Sequence, residues 1–168
     1  RYMAVEVRMN AKMREVLANL EIEDVFSVDS DLPRASATLL EQGIIHIHDL
    51  YLLRALTSDA RELDQHSDLT DVECSINHVH MEWHVDDQRL HDISRVAIRL
   101  ATEIANLLAS NYPSEEFYVV VGIDEDDFHT VRFYKVREDE PPWVRVDMLD
   151  EYIDGILVIS TKCTADVL

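Results

Sequence analysis

The strongest hydrophobic pattern in the chain lies between Gln88 and Ala109. Apolar residues recur there at spacings of three and four, as on one face of an α-helix: Leu90, Ile93, Ala97, Leu100, Ile104 and Leu107. Asp86 or Asp87 is placed to cap the start, and Pro113 marks the end. Further apolar residues at 96, 98, 101, 105 and 108 make the stripe wider than a coiled-coil seam. We expect this helix to pack on a sheet, with a homodimer through the helix as the alternative.

Three later segments have the pattern of β-strands. Phe117–Ile123 (FYVVVGI) is almost continuously apolar, which is typical of a strand covered on both faces and predicts a central position. His129–Arg137 (HTVRFYKVR) resumes strand character after the loop-like DEDDF of residues 124–128, so the two segments predict a hairpin. Ile156–Thr161 predicts a last buried strand.

The first half of the chain has shorter patterns. Helices are predicted at Met9–Leu20, at Pro33–Gln42 before the stop signal Gly43, and over 50–64 with Asp49 as the cap; strands are predicted at Ile22–Val28, 44–49 and Val72–Val85. With no linker-like segment, we expect residues 1–168 to form a single globular domain. The fold class is α+β, with a mostly antiparallel sheet from the C-terminal half, covered by the helix at about 88–109, and smaller helices from the N-terminal half.

Charge narrows the classes of partner. The chain has 34 acidic and 15 basic residues and a net charge of -19. The resulting negative potential repels phosphates and anionic lipid headgroups, so we expect no nucleic-acid or membrane partner, whereas basic proteins are attracted. Acidic residues are concentrated in 59–92 and 115–127. Solubility or adaptation to high salt is the alternative explanation of the charge.

The cysteine content and the hydropathy of the chain indicate the cellular compartment. Cys74 and Cys163 are isolated thiols without CxxC spacing, which indicates neither a zinc ribbon nor a disulfide framework. No apolar run approaches the roughly 20 residues that span a bilayer, and the first residues lack the apolar core of a signal peptide. We therefore expect a cytoplasmic protein.

Two histidine pairs are the candidate metal ligands. In an extended strand alternate side chains share a face, so His78, His80, Glu82 and His84 (from INHVHMEWHV) would project together. His46 in IIHIHD repeats the HxH spacing. Imidazoles arranged in this way can hold zinc and leave a position open for water. A solvated strand face and a pH-sensitive interface are the other interpretations.

The segment GIIHIHDL (43–50) resembles a short stretch of the anaerobic ribonucleotide reductases. The resemblance covers about eight of the 168 residues, and no glycyl-radical segment occurs. No residue role is transferred from it.

Two functions follow from these patterns. The first is a non-catalytic, intracellular protein-binding module of the small inhibitor or immunity-protein type, whose acidic face docks a basic protein partner. Its expected contact residues are Asp86, Asp87, Asp124, Glu125, Asp126 and Asp127, and it needs no cofactor. The second is a zinc-dependent hydrolase in which His78, His80 and His84 or His46 hold the metal and Glu82 acts as the base.

Overall fold

An apolar strand at the centre of an antiparallel sheet organises the fold. The computed structural model describes residues 5–57, 68–84 and 93–162, and elements are numbered along the chain within these ranges. In the order in which they pair, the strands of the sheet are β1 (Glu6–Met9), β7 (Gly155–Ser160), β5 (Phe117–Ile123), β6 (His129–Lys135) and β4 (His78–His80). The central position of β5 and its hairpin with β6 are confirmed.

A long helix, α4 (Ile93–Asn111), covers one face of this sheet. Ala97, Leu100 and Ile104 are fully buried on it and belong to the same core as Val119 of β5. The predicted α+β class and the packing of the long helix on the sheet are therefore confirmed. The predicted helix start near residue 88, with its cap at Asp86 or Asp87, lies outside the described residues.

The segment that follows β6 covers the opposite face of the sheet. Val144 and Leu149 pack there with Val120, Tyr134 and Val158 in a second, smaller core. A 3₁₀ turn at Leu149–Glu151 lies within this segment. Strand β5 is thus buried from both sides, which explains its nearly continuous apolar sequence.

Two short helices come from the N-terminal part, as predicted. Helix α1 (Ala11–Asn19) begins after Asn10, whose side chain accepts a hydrogen bond from the Met13 N–H at 3.0 Å. Helix α2 (Arg34–Gln42) ends at Gly43, which has a φ of 72°. The strand predicted at Ile22–Val28 is wrong, because turns occupy those residues.

The helix predicted to begin at Leu50 is wrong at its start. Residues Leu50–Leu53 form strand β3, which pairs with β2 (Ile44–Ile47) in a separate hairpin. The turn residues His48 and Asp49 both have positive φ values, 50° and 62°, as in the two-residue turns that suit strand twist. All four residues of β3 are buried, so the Leu-rich run reflects cover on both faces rather than a helical stripe.

The strand predicted at Val72–Val85 is confirmed only at His78–His80, and Val85 lies outside the described residues. Helix α3 (Leu69–Ile76) occupies its first part and is capped by Asp68, which accepts from the Asp71 N–H at 2.7 Å. Only β4 is extended, and a 3₁₀ turn at Met81–Trp83 follows it directly. The histidine-rich segment therefore changes direction after His80.

A buried ion pair ties α3 to the strands beside it. Glu73 on α3 is fully buried, and its carboxylate accepts hydrogen bonds from the Tyr51 N–H at 2.9 Å and the Lys135 N–H at 2.8 Å. The same carboxylate accepts two more from the Arg137 guanidinium, at 2.7 and 2.9 Å. One side chain thus joins the β2–β3 hairpin to the edge of the main sheet.

Candidate functional site

The loop between β5 and β6 has a defined shape. Asp124 closes it: its Oδ1 accepts hydrogen bonds from the N–H groups of Asp126 and Phe128, both at 2.9 Å. Asp127 has a φ of 63°, in the left-handed region that aspartate tolerates better than most residues. Residues 124–128, called the hairpin loop below, are all exposed. A preformed loop loses little conformational entropy when it binds.

The negative charge of the hairpin loop is not neutralised locally. Among the described residues, no Lys or Arg lies within 4.0 Å of the carboxylates of Asp124, Glu125, Asp126 or Asp127, whereas pairs such as Lys135–Glu115 at 2.7 Å occur elsewhere. Four of the six expected contact residues therefore form one acidic loop whose carboxylates make no ion pair with a Lys or Arg of the described ranges. The other two, Asp86 and Asp87, lie outside the described residues.

Two exposed aromatic side chains accompany the loop. Phe128 at its end is 53% exposed, and Trp83 in the turn after β4 is 80% exposed. The two segments are joined next to these residues, because Glu82 Oε1 accepts a hydrogen bond from the His129 N–H at 2.5 Å. The Trp83 ring also contacts the His80 ring in a tilted arrangement, with 4.4 Å between the ring centroids and 38° between their planes. Large exposed aromatic side chains beside charged groups are common anchors at protein interfaces.

Of the expected zinc ligands, the structure brings together only His78 and His80, whose ring centroids are 4.2 Å apart. His84 follows the 3₁₀ turn, and its Nδ1 contacts Ser36 Oγ at 3.0 Å. His46 lies in the β2–β3 hairpin, stacked on Tyr51 at 4.1 Å. Because the strand ends at His80, alternation no longer places later histidines on the same face.

The environment of His78 disfavours the binding of a cation. The Arg132 guanidinium donates to His78 Nε2 at 3.1 Å and so occupies the lone pair that a metal would use. Burial, with further contributions from Arg132 and His80, lowers the pKa of His78 to about 4. In the described part of the chain no three His, Cys, Asp or Glu side chains are placed to hold a metal. These residues do not fit the zinc site.

One buried hydrogen-bonded chain had no signal in the sequence. Ser94 Oγ of α4 lies 2.7 Å from His129 Nε2, and His129 Nδ1 lies 2.8 Å from the Asp127 carbonyl oxygen and 3.3 Å from Glu82 Oε1. The three side chains come from three separate elements. Their spacing along the chain follows no motif, and the strand pattern predicts Glu82 on a metal-binding face, so only the folded arrangement reveals the contact.

Comparison with known proteins gives a family. Residues 8–167 match the Uncharacterized protein PM0498 family, which is nearly the whole chain. The chain belongs to this family. The PM0498 family match includes the hairpin loop, Trp83 and the Ser94–His129–Glu82 chain. No curated protein and no solved structure matches the chain.

The length and hydropathy of the helices can be compared with what a membrane span requires. None of the helices within the described ranges has both the length and the apolar character needed to cross a membrane.

Proposed function

We propose that the protein is a cytoplasmic protein-binding module of the small inhibitor or immunity-protein type, and that its hairpin loop docks a basic protein partner. The observation that carries the proposal is the coincidence of four carboxylates that have no Lys or Arg partner among the described residues with two exposed aromatic side chains, Phe128 and Trp83, on adjoining segments. Carboxylates alone are consistent with mere solubility. Exposed aromatic anchors within the acidic surface favour a specific interface.

The chemistry of the loop matches arginine better than lysine. A guanidinium can donate two parallel N–H hydrogen bonds to a carboxylate and can stack on an aromatic face, whereas an ammonium is a compact point charge. The chain contains this stacking in its own fold, since Arg132 lies over the Trp143 ring at 4.8 Å from the centroid. We expect a partner surface that presents arginine to Phe128 and Trp83.

The preformed conformation of the hairpin loop and Trp83 supports tight binding through an interface of modest area. Asp124 holds the loop backbone, and the contact of the Trp83 ring with the His80 ring limits the positions of the indole before any partner arrives. Both effects reduce the ordering cost of association. Unpaired surface charge also accelerates encounter with an oppositely charged partner, and this acceleration falls as salt is added.

The decisive experiment distinguishes the contribution of the hairpin loop to binding from the contribution of net charge. A fluorescent arginine-rich peptide is titrated with the wild-type protein and with two double variants of identical charge change, Glu125→Gln/Asp126→Asn in the loop and Glu23→Gln/Glu41→Gln on exposed residues elsewhere. We expect only the loop variant to weaken binding, and a peptide with citrulline in place of arginine to bind poorly. Equal weakening by both variants would assign the interaction to the overall field and refute the docking site.

The aromatic anchors are tested separately. Phe128→Ala and Trp83→Ala should each weaken binding about 30-fold, the loss typical of an interface hot spot. Ile153→Ala, which truncates another exposed apolar residue (72% exposed), is the matched control and should leave affinity unchanged. Binding that survives loss of both aromatic residues contradicts their role as anchors.

A further inference from the structure

A chain of three side chains beneath the hairpin loop has the arrangement of a nucleophile, a base and an orienting group. Ser94 Oγ is 2.7 Å from His129 Nε2, and Glu82 Oε1 is 3.3 Å from His129 Nδ1. Such an order is recognised by geometry and roles rather than by sequence position. The binding function proposed above makes no use of it.

The contacts of His129 assign its protons. Its Nδ1 faces two acceptors, the Asp127 carbonyl oxygen at 2.8 Å and Glu82 Oε1, so in the neutral ring the proton lies on Nδ1. Nε2 then carries the lone pair and accepts from the Ser94 hydroxyl. This is the tautomer in which a histidine can remove a proton from serine.

Burial strengthens the interaction of His129 with Ser94 and Glu82. Ser94 and His129 are each only 7% exposed, and Glu82 Oε2 is buried with no hydrogen-bond partner within the described part of the chain. In a poorly solvated site a carboxylate stabilises the imidazolium that forms when histidine accepts a proton. The nearly buried Ser94 retains some access, whereas Ser36, which pairs with His84, has none.

We propose that Ser94 is an activated nucleophile that accepts acyl groups from small activated esters. Ser94 Oγ attacks the acyl carbon while His129 Nε2 takes the hydroxyl proton, and the ester C–O bond breaks as that proton passes to the departing alkoxide. Water then attacks the acyl-serine with His129 as the base, which releases the carboxylic acid and restores Ser94. Ser94 and His129 are the catalytic residues, and Glu82 is a positioning residue.

The test uses a fluorophosphonate, which forms an Oγ–P bond with an activated serine as the P–F bond breaks and fluoride leaves. Full-length protein is incubated with the probe, digested, and the adduct is located by mass spectrometry. We expect modification of the wild type at Ser94. Ser94→Ala should abolish it, and His129→Gln should slow it by at least about 100-fold, the usual contribution of a general base. Ser36→Ala, which removes the serine of the other Ser–His pair, should label at the wild-type rate.

A separate variant tests the positioning role of Glu82. Glu82→Gln keeps an oxygen that can accept from the His129 N–H but removes the charge, so labelling should slow while the urea midpoint stays unchanged. Labelling of Glu82→Gln at the wild-type rate would refute that role. No adduct on the wild type, or an adduct at another residue, would overturn the nucleophile itself. Binding of the arginine-rich peptide by Ser94→Ala should be unchanged, so failure of one proposal is distinguishable from failure of the other.

Discussion

Replacing Glu73 by glutamine should destabilise the protein far more than the same change at an exposed or partly exposed glutamate. Glu73 is fully buried, and its partner Arg137 has an 8% exposed side chain. Glutamine keeps the shape but places an NH₂ group where one carboxylate oxygen accepts from the Lys135 and Arg137 donors. Donors then face donors, and the guanidinium loses its buried counter-charge and keeps the more distant Glu140 carboxylate, 4.0 Å from its Nε.

The expected loss follows from the cost of an unpaired buried ion. Removing one member of a buried, hydrogen-bonded pair costs about 3–5 kcal/mol, because the remaining charge keeps its desolvation penalty without compensation. Domains are stable by only about 5–15 kcal/mol, so the variant should retain a marginal fold. With a urea dependence of about 2 kcal/mol/M, the unfolding midpoint should fall by about 2 M.

The measurement is urea unfolding followed by circular dichroism, with a surface pair as the control. Glu115 lies 2.7 Å from Lys135 but is partly exposed, so Glu115→Gln should cost less than about 1 kcal/mol. Because the chain carries a net charge of -19, both variants relieve the same amount of repulsion, and the difference between them isolates burial. A free energy of unfolding for Glu73→Gln within about 1 kcal/mol of wild type would refute this reasoning.

Three further outcomes are expected. The pKa of His78 is about 4 in the folded protein against 6.5 in an unfolded chain, so as the pH falls the unfolded state binds the proton first. The wild type should therefore lose stability relative to His78→Asn as the pH falls from about 6.5 to 4. Urea unfolding at each pH measures this, and a difference that stays constant with pH would contradict it. Ile104→Ala in the core should cost about 2–5 kcal/mol and Ile153→Ala on the surface less than about 0.5 kcal/mol by the same method, and similar losses would contradict the assigned burial. Because burial raises the pKa of the Cys74 thiol, iodoacetamide should modify the Cys74 peptide only after unfolding, as mass spectrometry can show; modification in native buffer would contradict it.

The sequence predicted the elements whose patterns are long and supported by burial. The apolar run of β5, the wide apolar stripe of α4 and the glycine that ends α2 each reflect a local requirement, so hydrophobic period and the stop signal indicated these elements correctly. The shorter patterns failed where tertiary contacts decided the conformation. Leu50–Leu53 has the composition of a helix, yet it pairs with β2 because both of its faces find apolar cover.

Net charge and the acidic sequence of the hairpin loop were determined by the sequence alone, because counting carboxylates needs no coordinates. Which groups meet was decided by the tertiary structure. The turn after His80 separates the histidines and brings Glu82 to His129, and α4 brings Ser94 to the same ring. Contacts between residues distant in sequence depend on the path of the chain, and neither periodicity nor composition records that path.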